Sequence, residues 1–288
     1  MLSFEVLGQT IVNGIAAASI YMMISLGLAL VFGVMRVVNL AQGEFMMLAA
    51  FGSFWLFTLY GVDPYLSMVA MIPASLLLGY AVYRLIIRRL LGADDINQFL
   101  ATFGLALMLQ GIAQYLWSAD LRRLPYVLPS LEVGDVTLAG VRVVNIGVCL
   151  AVLAFLAWFL GWTGIGRSVR ATASNRMGAM LCGVDVRRVD ATTFLLGTAI
   201  SAVGGTMLAL VYFVYPSVGA GLIFKGFAVV ILGGMGSIAG VIVGSLVLGI
   251  TEAMVNVYVS SQLSALVAFA VIFIVLVSRP QGLFGTAR

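Results

Sequence analysis

Runs of about 20 apolar residues alternate with short polar segments along the whole chain, which is the pattern of transmembrane helices. A further apolar segment, residues 226–250, is rich in glycine and predicts an irregular structure. The sequence thus predicts an all-α, polytopic membrane helical bundle with eight hydrophobic segments, and residues 1–288 as a single transmembrane domain. The other seven predicted spans are residues 11–31, 41–60, 66–87, 99–117, 143–160, 191–212 and 263–277.

A polar motif, GVMRVVNLAQGEF, interrupts the early part of this pattern. A half-helix that begins near Leu40 leaves its first amide N–H groups without partners, which is costly in lipid. Asn39, Gln42 and Glu44 can accept those N–H groups, and Arg36 can reach Glu44 across the break. Ionisable residues inside a membrane are functional candidates. The motif therefore either caps a broken helix or lines a translocation path, and it can do both.

The late glycine-rich segment, GFAVVILGGMGSIAGVIVGSLVLGI, predicts a second break at its centre. Glycine permits a turn at membrane depth where protein or a water-filled cavity covers the backbone. The two segments VVNLAQGEFMMLAAF and GGMGSIAGVIVGSLV resemble each other faintly, a pattern expected of internal repeats with discontinuous helices. Together the two motifs offer these residues for a translocation path or gate: Arg36, Asn39, Gln42, Gly43, Glu44, Gly233, Gly234, Gly236 and Ser237.

Arginines cluster in two loops and in the tail, and such clusters remain cytoplasmic. This predicts an N-terminus outside and a C-terminus in the cytoplasm, provided that residues 226–250 enter the membrane, break and return on the same side. In the outside loop, residues 136–138 and 141–143 predict a short hairpin around Gly140. The clusters are Arg84, Arg88 and Arg89; Arg167, Arg170, Arg176, Arg187 and Arg188; and Arg279 and Arg288.

The amino-acid composition limits the kinds of chemistry that this chain can perform. Of the residues, 62% are hydrophobic and 9% are charged, and the mean hydropathy is +1.15, which together leave no room for a soluble domain. The chain has no histidine and two cysteines, so the sequence predicts no metal site, no cofactor and no His-dependent catalysis. The one lysine, Lys225, is not part of a phosphate-binding loop, so if the chain takes part in ATP-driven transport, ATP hydrolysis is expected on another subunit. Glu252 is expected to be a solvated residue near the outer surface.

Residues 164–190 read GIGRSVRATASNRMGAMLCGVDVRRVD and predict one short amphipathic helix in a cytoplasmic loop. Gly183 occupies a C-cap position. Such a helix can lie on anionic lipid or fill a groove on a cytosolic partner, and charge alone does not separate the two. Its apolar positions recur at helical spacing: Val169, Ala173, Met177, Met180, Leu181 and Val184.

Three stretches, taken together and in order, resemble the permease subunits of ABC importers for leucine, isoleucine and valine. GVMRVVNLAQGEF is similar to their early signature, and KGFAVVILGGMGSIAGVIVGSLVLG to their late glycine-rich segment. GRSVRATASNRMGAMLCGVDVRRV looks like the loop by which those permeases engage their ATPases. This resemblance implies these coupling residues: Arg167, Ser174, Asn175, Arg176, Met177, Leu181, Gly183, Val184 and Asp185.

The resemblance implies a transport subunit of the bacterial inner membrane, and not an enzyme. It implies a related second permease subunit, two cytosolic ATPase subunits, a periplasmic binding protein that delivers branched-chain amino acids, and a lipid bilayer around the chain, with no nucleic acid. Family members often have histidine where this chain has Gln42, and related permeases carry urea, short amides or other small organic solutes. Those cargoes remain alternatives, as does a self-sufficient carrier or channel.

Overall fold

Helices form nearly all of the regular structure in the computed structural model, which describes residues 4–133, 136–279 and 281–284. Among these residues, seven helices are long and apolar enough to cross a membrane. The all-α, polytopic prediction is therefore confirmed. The helices are α1 Phe4–Met35, α2 Gln42–Tyr60, α3 Pro64–Val82, α4 Arg88–Leu90, α5 Asp95–Trp117, α6 Gly140–Trp162, α7 Gly164–Ser174, α8 Arg176–Leu181, α9 Val186–Val211, α10 Val218–Gly233, α11 Ile238–Tyr258 and α12 Ser261–Ser278, with a π-turn, Tyr83–Ile87, that joins α3 to α4.

Local sequence signals set several helix ends. Helix α2 ends at Gly61, which has a φ of 64° that glycine adopts without strain. Asp63 then caps α3, because its carboxylate accepts the Tyr65 N–H at 2.8 Å, and Pro64 occupies the first helical position. The connection between α2 and α3 is short for this reason.

Helix α1 is the centre of the bundle, and most of its length is buried. A Cβ atom added to Gly14 would lie 2.8 Å from Ile250 Cα, and one added to Gly33 would lie 3.1 Å from Gly236 Cα. Because the first pair comes early in α1 and late in α11, the two helices run antiparallel. Small residues at these points let the helix backbones approach closely.

The basic clusters meet at one end of the bundle. Tyr83 donates to the Arg187 carbonyl at 3.1 Å, which joins the loop after α3 to the start of α9. The Phe284 N–H donates to the Gly233 carbonyl at 3.0 Å, which brings the tail to the same end of α1 as Gly33. The described parts of the N-terminus and the tail therefore lie at opposite ends. Arg288 lies outside the described residues.

The hairpin is present and residues 136–138 form one of its strands as predicted, but the other strand precedes them, and residues 141–143 belong to a helix. Strand β1, Leu131–Val133, pairs antiparallel with β2, Val136–Leu138, and Leu131 lies opposite Leu138. Gly140 begins α6 and does not form the turn. A Gly-Asp dipeptide at 134–135 connects the strands in sequence, and such dipeptides are strong hairpin signals; its structure lies outside the described residues.

Candidate translocation site

Two helices begin inside the bundle and meet end to end. The chain leaves α1 at Met35, and α2 begins only at Gln42; it leaves α9 at Val211, and α10 begins only at Val218. A Cβ atom added to Gly219 would lie 2.7 Å from the Gly43 carbonyl oxygen, and one added to Gly43 would overlap the Gly219 carbonyl. The first turns of α2 and α10 are therefore in backbone contact.

These two breaks lie in units of similar layout. In each unit a long helix is followed by an irregular segment, 36–41 or 212–217, and then by a helix that starts at the junction. The units run antiparallel, since Gly27 contacts Gly197 and Met23 contacts Gly204. The faint sequence similarity pairs the first break with the glycine-rich segment instead, and that internal repeat stays a prediction.

Asn39 and Gln42 form a buried hydrogen-bond network at the start of α2. Asn39 donates to the Gln42 side-chain oxygen at 3.0 Å, and its own oxygen accepts the Ala41 N–H at 3.1 Å. Gln42 Nε2 donates to the Gly197 carbonyl at 2.8 Å and to Ser201 Oγ at 2.7 Å. The predicted capping is thus confirmed for Asn39 only, because Gln42 fixes α2 to α9 instead.

Glu44 is buried in the first turn of α2, with 2% of its surface exposed. Its carboxyl carbon lies 2.9 Å from the position of a Cβ on Gly219, so the carboxylate packs against the first turn of α10. Among the described residues, no side chain or backbone group donates to Glu44 Oε2. The dipoles of two helix N-termini favour a negative charge at this position.

Arg36 does not pair with Glu44, which corrects the sequence-based expectation. Helix α1 continues to Met35, so Arg36 lies at the basic end of the bundle, is exposed, and has a φ of 55°. There it lines a cavity of about 470 Å³ together with residues 172–177. The long α1 carries Arg36 well beyond the junction, which the spacing of eight residues to Glu44 did not reveal.

The glycine-rich break separates α10 from α11 as predicted, but it lies at the basic end of the bundle, beside Gly33 and the tail, and not at the expected depth inside the bundle. Gly234 and Gly236 have φ values of 99° and 86°, which favour glycine. Ser237 caps α11, because its Oγ accepts the Gly240 N–H at 3.1 Å. Gly233 and Gly240 are in backbone contact. The flanking helices are longer than predicted, since α11 alone has 21 residues and is a candidate span.

Residues 164–183 form two helices, where one was predicted. Asn175 separates them with φ −149° and ψ 102°, and its side-chain oxygen accepts the Gly178 N–H at 2.9 Å to cap α8. An asparagine that caps a new helix competes with continuation of the old one. The predicted C-cap is confirmed: Gly183 has a φ of 81°, its N–H donates to Met180, and the next N–H donates to Ala179.

Because of the interruption at Asn175, α7 and α8 expose different kinds of side chain to the surroundings. Val169 in α7 and Ala179 in α8 are buried against the bundle. Helix α8 exposes its larger apolar side chains, with Met177 63% and Leu181 83% exposed. The remaining predicted coupling residues Arg167, Ser174 and Asp185 are also exposed, and Val184 is half-buried.

Helix α8 is tied to α9 by a two-point ion pair. Arg176 donates to both oxygens of Asp190, at 2.9 and 2.6 Å, and Asp190 is fully buried. A bidentate arginine–carboxylate pair fixes orientation as well as distance. The pair therefore fixes α8 to the start of α9, the helix whose middle binds Gln42.

Sequence analysis missed a second polar cluster. Lys225 in α10 contacts Glu252 in α11, with Nζ 2.6 Å from Oε1, and the other Glu252 oxygen accepts Tyr21 Oη at 2.7 Å. The expectation that Glu252 is a solvated surface residue was wrong. The sequence did contain a signal for this cluster, because its one lysine and a late glutamate both lie in apolar segments.

No metal site is formed by the described residues, since no three of their Cys, Asp and Glu side chains lie close enough together to hold an ion.

Comparison with known proteins identifies relatives across nearly the whole chain. Residues 10–276 match the family model described as the permease component of branched-chain amino acid transport systems. The high-affinity branched-chain amino acid transport system permease protein BraD of Pseudomonas aeruginosa is 30% identical over 96% of this chain and 95% of its own. The proteins of that description named LivH in Salmonella typhimurium and Escherichia coli are also 30% identical, with the same coverage.

Proposed function

Because this chain belongs to the family of branched-chain amino acid transport permeases, we propose that it is the membrane permease subunit of an ATP-driven importer for branched-chain amino acids. The proposal rests on one observation, the similarity of 96% of the chain to permeases of that description. The internal architecture supports it, since discontinuous helices that meet inside a bundle are typical of transport proteins. Residues 1–288 would act as one transmembrane permease domain.

The finer assembly is also a proposal. The family is that of ABC transport systems, which contain other subunits. Here they are a related second permease, two cytosolic ATPases and a binding protein that delivers the cargo. The chain does no covalent chemistry of its own; it provides alternating access, driven by ATP binding elsewhere.

The coupling loop, residues 164–190, transmits that movement. Met177 and Leu181, both exposed on α8, serve as the apolar anchors in an ATPase groove. Arg176 passes the displacement of α8 to Asp190 at the start of α9. Helix α9 in turn holds Gln42 at the α2–α10 junction. The movement thus passes from the ATPase to the junction through the bidentate Arg176–Asp190 ion pair, helix α9 and the side-chain amide of Gln42.

The junction and the glycine-rich break act as the moving parts of the path. Gly43 and Glu44 lie at the contact between α2 and α10. Residues 233–237 separate α10 from α11, so that α10 has an irregular segment at each end. A short helix with breaks at both ends can shift as a rigid unit, and Gly234 and Gly236 absorb the change in backbone angles.

The basic end faces the cytoplasm of a bacterium, with the N-terminus outside. The convergence of the arginine clusters and the tail at one end of the bundle supports this orientation. Labelling of Glu5→Cys from the periplasm, and of Gln281→Cys only after permeabilisation, is the expected result. The reverse pattern would overturn the orientation.

The alternative cargoes receive no support at Gln42. Every polar atom of its side chain is engaged by Asn39, Gly197 and Ser201 within the protein. Glutamine in place of histidine therefore changes a helix contact and gives no information about cargo.

Uptake by the reconstituted transporter tests the function. Proteoliposomes that contain this chain with its partner subunits should accumulate labelled leucine, isoleucine and valine only with ATP and binding protein. Accumulation of urea or a short amide in place of leucine would overturn the cargo. Leucine flux without the ATPases would favour a self-sufficient carrier.

A further inference from the structure

A charged crevice opens beside the ion pair of α10 and α11. It has a volume of about 300 Å³ and is lined by α1, α6, α10, α11 and Tyr212, which follows α9. Lys225 Nζ contacts Glu252 at 2.6 Å and donates to Tyr21 Oη at 2.8 Å, so three helices meet at one charge cluster. We call it the Lys225 crevice. It is separate from the α2–α10 junction and from the coupling loop.

The charges of this crevice do not balance. Its described lining contains two cations, Lys225 and Arg142, and one carboxylate, Glu252. Asn13, which accepts a hydrogen bond from Arg142, and Asn256 add amide groups. An excess positive charge beside a carboxylate suits a ligand that carries both a negative and a positive group.

The crevice is not sealed inside the bundle. The Lys225 side chain is 30% exposed and that of Glu252 is 13% exposed, although Glu252 lies in a helix long enough to cross a membrane. Charged groups in such segments face a water-filled cavity or another protein surface, because exposure to lipid is costly. The crevice therefore opens toward the transport route or a neighbouring subunit.

Small apolar residues form part of the crevice wall. Ala17 of α1 and Gly249, Ala253 and Val257 of α11 add aliphatic surface beside the charged groups. A pocket that combines charged groups with a smooth aliphatic surface fits a small amphipathic ligand.

We propose that the Lys225 crevice is a binding site for a zwitterionic aliphatic amino acid, with its carboxylate on Arg142 and its ammonium group on Glu252. The inference rests on the proposed function and adds a site on this chain for the cargo. Lys225 and Tyr21 hold Glu252 in place when the site is empty. The branched side chain packs on the wall formed by Ala17 and Ala253.

Cysteine protection tests the site without relying on transport. Ala253→Cys is introduced with Cys149→Ala and Cys182→Ser, and a small charged thiol reagent labels the assembled transporter in lipid nanodiscs. At about ten times the half-protecting concentration of L-leucine, mass action leaves about one site in ten empty, so labelling slows about tenfold. Ser118→Cys, an exposed position outside the crevice, is the matched control and should be labelled at an unchanged rate.

Two half-ligands and one variant test the assigned contacts. At the same concentration, 4-methylpentanoate, which lacks the ammonium group, and 3-methylbutylamine, which lacks the carboxylate, should protect far less than leucine. Arg142→Gln should raise the half-protecting concentration of leucine by at least about tenfold, since it removes one partner of a charge pair. Arg123→Gln, at an arginine that does not line the crevice, should leave it unchanged.

Each contrary outcome overturns the inference. Equal protection by 4-methylpentanoate means that the crevice binds only a carboxylate. Labelling that leucine does not slow, or that slows equally at Ser118→Cys, excludes a site here. If neither Ala253→Cys nor Asn256→Cys reacts, the crevice is closed to water. Leucine uptake by the same preparation separates the two proposals: uptake without protection leaves the function intact, whereas transport of another solute alone refutes the function.

Discussion

The α2–α10 junction and the Lys225 crevice are both polar, yet they differ in how their polar groups are used. At the junction, Asn39 and Gln42 are buried and bind other parts of the same chain. In the crevice, Lys225 and Glu252 are partly exposed beside a cavity. The junction carries the early family motif, and its polar groups hold helices together, whereas the charged groups of the crevice stay accessible, as the proposed ligand site requires. Polar residues of a family motif can therefore serve helix packing while charged groups elsewhere in the chain stay accessible.

The largest expected effect is at the junction itself. Gly43→Ala should prevent correct assembly, because its Cβ overlaps the Gly219 carbonyl and two helix backbones must separate. Overpacking costs about 1–3 kcal/mol where side chains can adjust, and more where backbone must move. Gly111→Ala in α5, where a Cβ meets nothing within 4 Å, is the control. Size-exclusion chromatography after mild heating measures the fraction of each variant that stays folded and monodisperse. Equal fractions for the two variants would contradict the backbone contact.

The next largest effect is expected in the coupling loop, which lies apart from the junction and the crevice. Met177→Asp should leave the permease folded but release the ATPases, because it places an unpaired charge at a contact. Losing a principal anchor costs about 2 kcal/mol or more, a thirtyfold weaker association. Pull-down of the ATPases measures this, with Leu121→Asp, an exposed leucine in the loop after α5, as the control. Retained ATPases and full leucine-stimulated hydrolysis would make the loop a lipid anchor.

A third prediction asks whether the junction is held by Gln42 or by Glu44. Gln42→Ala removes the bonds to Gly197 and Ser201 and leaves the Asn39 amide without its acceptor, so a loss of about 1–3 kcal/mol is expected. Glu44→Gln keeps the shape of the side chain and should lower thermal stability less. Thermal unfolding in nanodiscs compares the two. A larger loss for Glu44→Gln would show that the charge at the two helix N-termini holds the junction.

The smallest effect concerns the end of α8. Gly183→Ala forces a Cβ into a left-handed conformation at φ 81°, which costs about 1 kcal/mol. ATPase affinity should fall a few-fold, as α8 frays. Gly164→Ala, where a Cβ meets nothing within 4 Å, is the matched change at the other end of the loop. Identical affinities for the two variants would mean that the cap does not position α8.

The comparison also shows where sequence reasoning reached its limit. Hydrophobic periodicity predicted the spans, and the polar and glycine motifs predicted the breaks near 40 and 234, because those signals depend on neighbours along the chain. Glu252 was misjudged, since its partners Lys225 and Tyr21 are 27 and 231 residues away. The Arg36–Glu44 pairing failed because the length of α1, and not the separation in sequence, decides where Arg36 lies.

The sequence by itself determined that this chain is a helical membrane protein with interrupted helices and a basic loop, since apolar length, glycine and arginine act locally. Only the tertiary structure decided which interruptions lie next to each other. The breaks at 36–41 and 212–217 share almost no letters, yet their helices meet at Gly43 and Gly219. It also decided that Asn175 divides the loop and that Lys225, Glu252 and Arg142 surround one crevice. Contacts between distant segments depend on packing in three dimensions, and the periodicity of residues along one chain carries no information about that packing.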